Sequence, residues 1–141
     1  YIKSHPIINI KKIIKNINIK FPDNFVHSDL STIQLLKKTN ILITGMSSIG
    51  LEALAMGVPV LIIEQSEGLN YNAIPNEINE EIWKKCVTSE DVRKGIKLFI
   101  NRNNKQLEQH NKLALQIRRN YFEPVTREGI LELLDMNEKN N

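Results

Sequence analysis

One stretch of the chain has the pattern of a strand, a turn, a helix and a second strand, and it restricts the fold more than any other. Two short apolar runs rich in β-branched residues, at positions 41–43 and 60–63, lack polar alternation. Strands buried on both faces of a parallel sheet have this composition. Between Ile49 and Met56 apolar residues recur at helical spacing, and Gly57 is placed to end the helix. The stretch predicts a β–α–β unit.

The turn of this unit contains residue types that bind anions. Thr44, Gly45, Ser47 and Ser48 lie between the end of the first strand and the start of the helix. Free backbone N–H groups and the positive end of the helix dipole face that point, which favours a phosphate. The glycine permits a tight turn or the close approach of a ligand, and the serine hydroxyls can donate to phosphate oxygens or cap the helix. We therefore expect an anion site at this turn.

Glu52 lies one helical turn after Ser48, on the same face of the predicted helix. A carboxylate at that place can accept hydrogen bonds from sugar hydroxyls, as an acidic residue does with ribose in dinucleotide-binding folds. The alternative is structural, with Ser48 as the N-cap and Glu52 as a favourable charge in the first turns. These residues alone do not decide between the two interpretations.

The chain resembles the donor-binding half of GT-B glycosyltransferases over about residues 1–121. The most specific part is 41–60, where a strand and a Thr-Gly-x-Ser-Ser turn are followed by Gly-Leu-Glu-Ala-Leu-Ala-x-Gly-Val-Pro-Val. In that family the segment holds the diphosphate of a nucleotide sugar, and the Glu commonly binds the ribose. The resemblance implies phosphate contacts for Ser47 and Ser48 and a ribose contact for Glu52. Many retaining members have another Glu eight residues earlier, where this chain has Thr44, which does not favour a retaining enzyme of that pattern.

A second set of polar residues follows the strand predicted at positions 1–4. Lys3 and His5 stand near its end, and Pro6 suits the first position of a helix predicted to reach Asn16. The Lys-x-His-Pro segment resembles one found in several GT-B branches, notably those that make bacterial surface polysaccharides. Ligands bind at the carboxyl ends of strands in open α/β sheets, so Lys3 and His5 are candidate substrate contacts. A surface lysine and a helix-capping histidine are the alternatives.

The loop after the second strand of the unit, residues 64–75, is too polar and too rich in turn residues to form a regular element. Loops at this position commonly line ligand sites in α/β folds. Gly68 and Asn70 are the candidate substrate contacts in it, with a solvated loop as the alternative.

The rest of the chain continues the alternation of strands and helices and ends in helices, which predicts an α/β fold with a doubly wound, mostly parallel, Rossmann-like sheet. The resemblance makes this the C-terminal half of a GT-B architecture with extra C-terminal helices. We expect one nucleotide-sugar-binding domain over residues 1–121, then a helix and tail over 122–141. Further strands are predicted at 17–21 and 86–87, and further helices at 31–38, 76–84, 88–102, between 103 and 121, and from 126.

Three of these helical predictions are specific enough to be checked. The spacing of Ser31 and Gln34 predicts a capping box at the start of the helix at 31–38, whose apolar residues are Ile33, Leu35 and Leu36. The helix at 88–102 is predicted to start at capping hydroxyls followed by acidic residues and to bury Val92, Ile96, Phe99 and Ile100. Arg118 and Arg119 are expected on a solvated face.

Composition narrows the class of ligand. The formal charge is +3 with scattered lysines, which suits a small anionic ligand better than nucleic acid.

Cys86 is the only cysteine, so an internal disulfide and a cysteine metal site are excluded and a reduced, cytoplasmic setting fits. No apolar run approaches the ~18–20 residues of a membrane span. Because no carboxylate pair has ligand spacing, we expect no metal and no cofactor apart from the nucleotide sugar as substrate.

The favoured hypothesis is the donor-binding domain of a glycosyltransferase that transfers a sugar to a glycan or lipid-linked acceptor, in the cytoplasm or peripherally at the inner membrane face. The chain starts without Met, directly in a strand pattern, so we expect a missing N-terminal acceptor-binding domain and no activity of this chain alone. One alternative is a UDP-N-acetylglucosamine 2-epimerase-like domain, although its turn is Ser-Gly-Gly with paired Glu residues. The other is a non-catalytic α/β module that binds an anion or a partner.

Overall fold

The computed structural model describes residues 1–4, 10–17, 20, 22–45, 47–68, 71–122, 124 and 126–134. The chain forms two compact units, Tyr1–Thr39 and Asn40–Asn141. The boundary predicted between residues 121 and 122 stays a prediction. The first unit contains α1 (Ile10–Asn16) and α2 (Thr32–Leu36). The second contains β1 (Leu42–Thr44), α3 (Ile49–Ala55), β2 (Val60–Ile63), β3 (Trp83–Cys86), α4 (Ser89–Ile100), α5 (Asn104–Tyr121) and α6 (Arg127–Leu133).

In the first unit, α2 begins with the predicted capping box. The Ser31 hydroxyl accepts from the Gln34 N–H at 3.3 Å, and the Gln34 side-chain oxygen accepts from the Ser31 N–H at 2.9 Å. Two backbone donors that the helix cannot satisfy by itself are thereby paired. The helix buries Leu35 and Leu36, so its predicted apolar face is confirmed for the two leucines. It is wrong for Ile33, which is 57% exposed.

The strands predicted in the first unit are not formed as such among its described residues. The strand at 1–4 is reduced to a parallel bridge between Ile2 and His27. The Ile17 N–H donates to the Ile13 carbonyl at 3.0 Å, so Ile17 extends the hydrogen bonding of α1, and the strand predicted at 17–21 is wrong at this residue. Residues 18, 19 and 21, and the first positions of the helix predicted from Pro6, lie outside the described residues.

The second unit is built on a parallel sheet in the order β1–β2–β3. Leu42 is in register with Val60, which is in register with Trp83. Side chains alternate between the faces of a sheet, so Val60 and Trp83 lie on one face and Leu61 lies on the other. Val60 and Leu61 are both fully buried. The prediction that β2 is covered on both faces is therefore confirmed.

Helix α3 packs on one face of the sheet, and helix α4 packs on the other. A Cβ atom at Gly50 of α3 would lie 3.7 Å from Val60 Cγ1, whereas a Cβ atom at Gly95 of α4 would lie 2.5 Å from Leu61 Cδ2. On the α4 side, Leu61 and Phe99 belong to one buried cluster. The absence of a side chain at Gly95 allows α4 to approach β2 this closely.

The end of α3 is closed by a glycine and by an arginine from α5. Gly57 has φ +78°, and the Val58 N–H donates to the Ala53 carbonyl at 2.9 Å, a hydrogen bond of the Schellman type. The predicted stop at Gly57 is thus confirmed. Arg118 was expected on a solvated face, but its guanidinium donates to the Ala55 carbonyl at 2.9 Å. A cation beside free carbonyls at a helix end is favourable, and it joins α5 to α3.

The segment between β2 and β3 differs from the prediction. Residues 76–84 do not form the predicted helix; they form turns up to residue 82, after which β3 begins. The strand predicted at 86–87 instead runs from Trp83 to Cys86, so the prediction is confirmed for Cys86 and wrong for Val87. The Trp83 indole N–H donates to the Ile78 carbonyl at 3.1 Å, and both side chains are buried. Pairing with β2 and burial of the indole together outweigh the local helical pattern.

Helix α4 begins as predicted but buries only part of its predicted face. The Thr88 hydroxyl accepts from the Asp91 N–H at 3.1 Å, and the Asp91 carboxylate accepts from the Thr88 N–H at 2.9 Å. Hydrogen bonds from the Thr88 backbone and hydroxyl lower the pKa of Asp91. Phe99 is buried, but Ile100 is 65% exposed, because it faces away from β2 at the last residue of the helix. The other two members of the face are half-buried, Val92 and Ile96.

A buried histidine joins the end of α4 to α5. The Arg102 guanidinium donates to His110 Nδ1 at 2.8 Å, so Nδ1 is the unprotonated nitrogen and the imidazole is neutral. The Phe99 ring meets the imidazole edge-on, with centroids 6.2 Å apart. Burial lowers the pKa of His110, the charge of Arg102 lowers it further, and the charge of Glu81 opposes them. The junction thus depends on a histidine without charge.

These elements confirm a mixed α/β fold with an open, three-stranded parallel sheet in the second unit. The helices predicted after the sheet are present as α5 and α6, and the Thr126 hydroxyl accepts from the Gly129 N–H at 3.0 Å where α6 begins. None of the helices in the described ranges is both long and apolar enough to cross a membrane.

Candidate functional site

The turn after β1 lies at the carboxyl edge of the parallel sheet. Thr44 is the last residue of β1 and is half-buried, and Gly45 is exposed. Gly45 does not have a positive φ, so a left-handed backbone does not explain the glycine. A Cβ atom at Gly45 would meet no atom within 4 Å. The second predicted reason for this glycine, room for a ligand to approach the backbone, is compatible with this open space.

The two serines of the turn use their hydroxyls differently. Ser47 Oγ accepts a long hydrogen bond of 3.4 Å from the Ile49 N–H. Ser48 occupies the N-cap position of α3, yet its φ of −61° and ψ of −18° are helical, and its side chain forms no capping hydrogen bond. A capping side chain normally requires an extended backbone. The structural alternative, in which Ser48 caps the helix, is therefore not observed, and its exposed hydroxyl is not used for that purpose.

Glu52 lies in the first turn of α3, where its N–H donates to the Ser48 carbonyl at 3.4 Å. The residue is half-buried. Within the described ranges no basic side chain forms an ion pair with the Glu52 carboxylate. An ionised carboxylate is an acceptor of several hydrogen bonds, and one placed a single helical turn from Ser48 can accept from hydroxyls of a ligand held at the turn.

The remaining predicted substrate contacts do not belong to the turn after β1. Lys3 belongs to the first unit, where its ammonium donates to the Leu30 carbonyl at 2.7 Å. Gly68 belongs to the loop after β2 and has φ +96°, a conformation that favours glycine. His5 and Asn70 lie outside the described residues. The structure thus brings together Thr44, Gly45, Ser47, Ser48 and Glu52 within one turn and the helix that follows it.

An ion pair that the sequence did not predict also lies at the carboxyl edge of the sheet. Glu64 follows β2 directly, and its N–H donates to the Cys86 carbonyl of β3 at 2.9 Å. Its carboxylate lies 3.5 Å from the ammonium of Lys85 in β3. The Glu64 side chain is 15% exposed, and that of Lys85 is 47% exposed. The sequence did not indicate Lys85 as a site residue, because the residues before it were predicted to form a helix and not a strand of the sheet.

The loop after β2 returns across the first turn of α3. A Cβ atom at Gly50 would lie 3.6 Å from Ile74 Cδ1, so this part of the loop packs directly on the helix. Asn72 Oδ1 accepts from the Ile74 N–H at 3.0 Å, while the Asn72 Nδ2 atom is buried without a hydrogen-bond partner among the described residues. This part of the loop therefore lies against the helix that follows the turn, and Asn72 is a polar residue there that the sequence did not single out.

The chemistry of the site follows from its own side chains. Serine hydroxyls and backbone N–H groups are donors, Glu52 is an acceptor, and Lys85 is a cation held by Glu64. Within the described ranges, no three His, Cys, Asp or Glu residues are grouped as metal ligands. Such a set suits a ligand that has both phosphate and hydroxyl groups.

Comparison with known proteins adds no relative. No protein-family model matches the chain, and searches of curated proteins and of solved structures also give no match.

Proposed function

We propose that the second unit belongs to the class of α/β domains that bind a nucleotide at the carboxyl edge of a parallel sheet. The observation that supports this most directly is Ser48, an exposed residue of the turn whose side chain does not cap α3. A Cβ atom at Gly45, in the same turn, would meet no atom within 4 Å. Open α/β sheets bind ligands at this edge. Glu52, without a basic partner in the described ranges, supplies an acceptor for ribose hydroxyls.

Within that class, we propose the donor-binding domain of a GT-B glycosyltransferase, with the doubly wound C-terminal half of that architecture. The support is the resemblance of positions 44–60, whose turn, helix and strand all form in the second unit. The substrate would be a nucleotide diphosphate sugar. The acceptor, a glycan or a lipid-linked sugar, would bind to a separate N-terminal domain, in the cytoplasm or at the inner membrane face.

The contribution of this domain to catalysis is electrostatic. The bond between the sugar and the diphosphate breaks during transfer, and negative charge develops on the leaving diphosphate. Donors already fixed around that charge stabilise the transition state more than the ground state. Ser47, Ser48 and the backbone N–H groups of the turn are these donors. The base that activates the acceptor is not assigned to this chain, so we expect no glycosyl transfer by it alone; turnover by the isolated chain would contradict this.

The test is calorimetric titration of the chain with UDP, GDP, CDP and CMP. We expect saturable binding of one nucleotide, weakened about tenfold or more by Ser48→Ala, because a lost hydrogen bond to a charged group costs about 1.5–3 kcal/mol. Glu52→Ala should weaken the binding of the same nucleotide, and this effect should disappear when both the 2′- and the 3′-hydroxyl of the ribose are replaced by hydrogen.

Ser89→Ala is the matched control. Ser89 is also an exposed serine at the start of a helix, but α4 lies on the opposite face of the sheet and its first turn is closed by Thr88 and Asp91. This change should leave nucleotide binding unaltered. Equal weakening by Ser48→Ala and Ser89→Ala would move the site away from the turn. Absence of binding for all four nucleotides by folded protein would favour the non-catalytic module instead.

A further inference from the structure

The ion pair between Glu64 and Lys85 places a lysine that strand propensity does not explain at the carboxyl edge of the sheet. Lysine is depleted in β-strands, yet Lys85 is the third of the four residues of β3. Its ammonium is held 3.5 Å from Glu64, and its side chain remains 47% exposed. The Glu64 side chain is mostly buried, so a nearby cation stabilises its carboxylate, but that pairing does not by itself require the Lys85 side chain to remain open to solvent. A role in binding would account for a lysine that is held in place and still open to solvent.

The strand register relates this lysine to the turn. Thr44 is in register with Ile62, and Ile62 is in register with Lys85. In-register residues of a parallel sheet point to the same face, so Lys85 shares the face of Thr44, which is the face covered by α3. The neighbouring Lys84 is in register with Leu61 and lies on the α4 face.

The separation suits a ligand with two phosphates. Adjacent strands lie about 4.8 Å apart, so β1 and β3 are about 10 Å apart with β2 between them. Glu64 follows β2 and draws the ammonium of Lys85 towards that middle strand. A diphosphate bound at the turn after β1 would extend across β2 towards this ammonium, and lysine interacts with phosphate as a compact cation.

We infer that Lys85 binds the diphosphate of the nucleotide at the carboxyl edge of the sheet and that Glu64 is a positioning residue for its ammonium. This inference rests on the proposed function, since it requires a nucleotide at the turn. Lys85 would neutralise part of the charge on the leaving diphosphate, whereas Glu64 would act only through Lys85. The ligand group that Lys85 recognises is the phosphate and not the base or the sugar.

The experiment compares the 141-residue chain with its Lys85→Met, Lys85→Arg and Lys84→Met variants in calorimetric titrations. The probes are the nucleoside diphosphate that binds most tightly among UDP, GDP and CDP, the corresponding nucleoside without phosphates, and inorganic pyrophosphate. Lys84→Met is the matched control, because it removes the same charge one residue away on the opposite face of the sheet. Circular dichroism of each variant confirms that it is folded.

We expect Lys85→Met to weaken the binding of the nucleoside diphosphate and of pyrophosphate about tenfold. The binding of the nucleoside should be unchanged. Lys85→Arg should restore most of the affinity, and Lys84→Met should have little effect. Glu64→Gln should weaken diphosphate binding less than Lys85→Met and should add nothing in the Lys85→Met background, because it acts through that lysine.

Each contrary outcome identifies what fails. Suppose that the unchanged chain binds a nucleoside diphosphate and that Ser48→Ala weakens this binding. If Lys85→Met does not weaken it as well, this inference is wrong and the proposed function stands. If Lys84→Met and Lys85→Met weaken binding equally, the effect is general electrostatic attraction, and the assignment of Lys85 is also wrong. If the unchanged chain binds neither a nucleoside diphosphate nor pyrophosphate, both the proposed function and this inference are refuted.

Discussion

The close approach of α4 to β2 at Gly95 predicts that Gly95→Ala will destabilise the second unit. A Cβ atom at this position would lie 2.5 Å from Leu61 Cδ2 and 3.1 Å from Cδ1. Carbon atoms in contact prefer about 3.5–4.0 Å, so α4 or Leu61 must move by about 1 Å. Leu61 is fully buried, and a close-packed core has no space for its displaced methyl groups.

The magnitude follows from two opposing terms. Overpacking of a core costs about 1–3 kcal/mol, while replacing glycine by alanine inside a helix gains about 1 kcal/mol. We therefore expect a net loss of about 1 kcal/mol for Gly95→Ala. At Gly50 the nearest atoms to a new Cβ are 3.6–3.7 Å away, an ordinary contact distance. Gly50→Ala should thus be neutral or stabilising, by up to about 1 kcal/mol.

Urea unfolding measures both changes, with stability extrapolated to water. Trp83 is a suitable probe because it is the only tryptophan of the chain and is 2% exposed in the sheet itself. The critical variant is Leu61→Ala combined with Gly95→Ala. Leu61→Ala alone should cost about 2–5 kcal/mol, and in that background Gly95→Ala should no longer destabilise. A Gly95→Ala protein more stable than Gly50→Ala, or a loss that persists without the leucine side chain, would refute this account of the helix–sheet contact.

Two further predictions concern α3 and α5. Gly57→Ala should lower the unfolding free energy by about 1–2 kcal/mol because φ is +78° and alanine is strained there; Gly57→Asn should lose less in thermal unfolding, and equal losses would argue against strain. For His110, burial and Arg102 lower the folded pKa below the unfolded value of 6.5, so the folded chain binds fewer protons between the two values. The contribution of His110 to the free energy of unfolding should therefore be fully present above pH 6.5 and be lost as the pH falls towards the folded pKa. Urea unfolding across this pH range should show a weaker pH dependence for His110→Gln. An unchanged pH dependence in that variant would contradict the prediction.

The sequence predicted best those elements whose signals are local and agree with one another. Between β1 and β2 the apolar runs, the helical spacing and Gly57 all indicate the same unit, and that unit forms. The capping box at Ser31 and the helix start at Thr88 were predictable for the same reason, since each depends on residues within three positions of one another. Such elements need no knowledge of distant partners.

The errors lie where distant contacts decide the structure. Residues 83–86 contain two lysines between Trp83 and Cys86, a pattern that does not resemble a buried strand. They form one because β2 supplies the hydrogen bonds and the loop before β3 buries the indole. Arg118 was expected in solvent because its partner, the Ala55 carbonyl, is 63 residues away along the chain. Local spacing contains no information about either contact.

The site was predictable in part for the same physical reason. Gly45, Ser47, Ser48 and Glu52 are close in sequence and therefore close in space, so their arrangement follows from the β–α–β unit alone. The orientation of Ser48, which leaves its hydroxyl without a capping bond, depends on backbone angles that residue types do not determine. The pair of Glu64 and Lys85 requires the register of β2 and β3, which the misplaced third strand concealed.

The seven residues of α3 have a consequence for the motions of the second unit. A helix this short is not stable in water by itself, so its amide hydrogens are protected from exchange only while its neighbours hold it. Arg118 fastens one end to α5, and the turn with Ser47 and Ser48 is at the other end. Helices α3 and α5 should therefore open together in one sub-global event, as a single foldon. A molecule that settles in the turn would slow exchange not only beside it but also along α5, at the opposite end of the short helix.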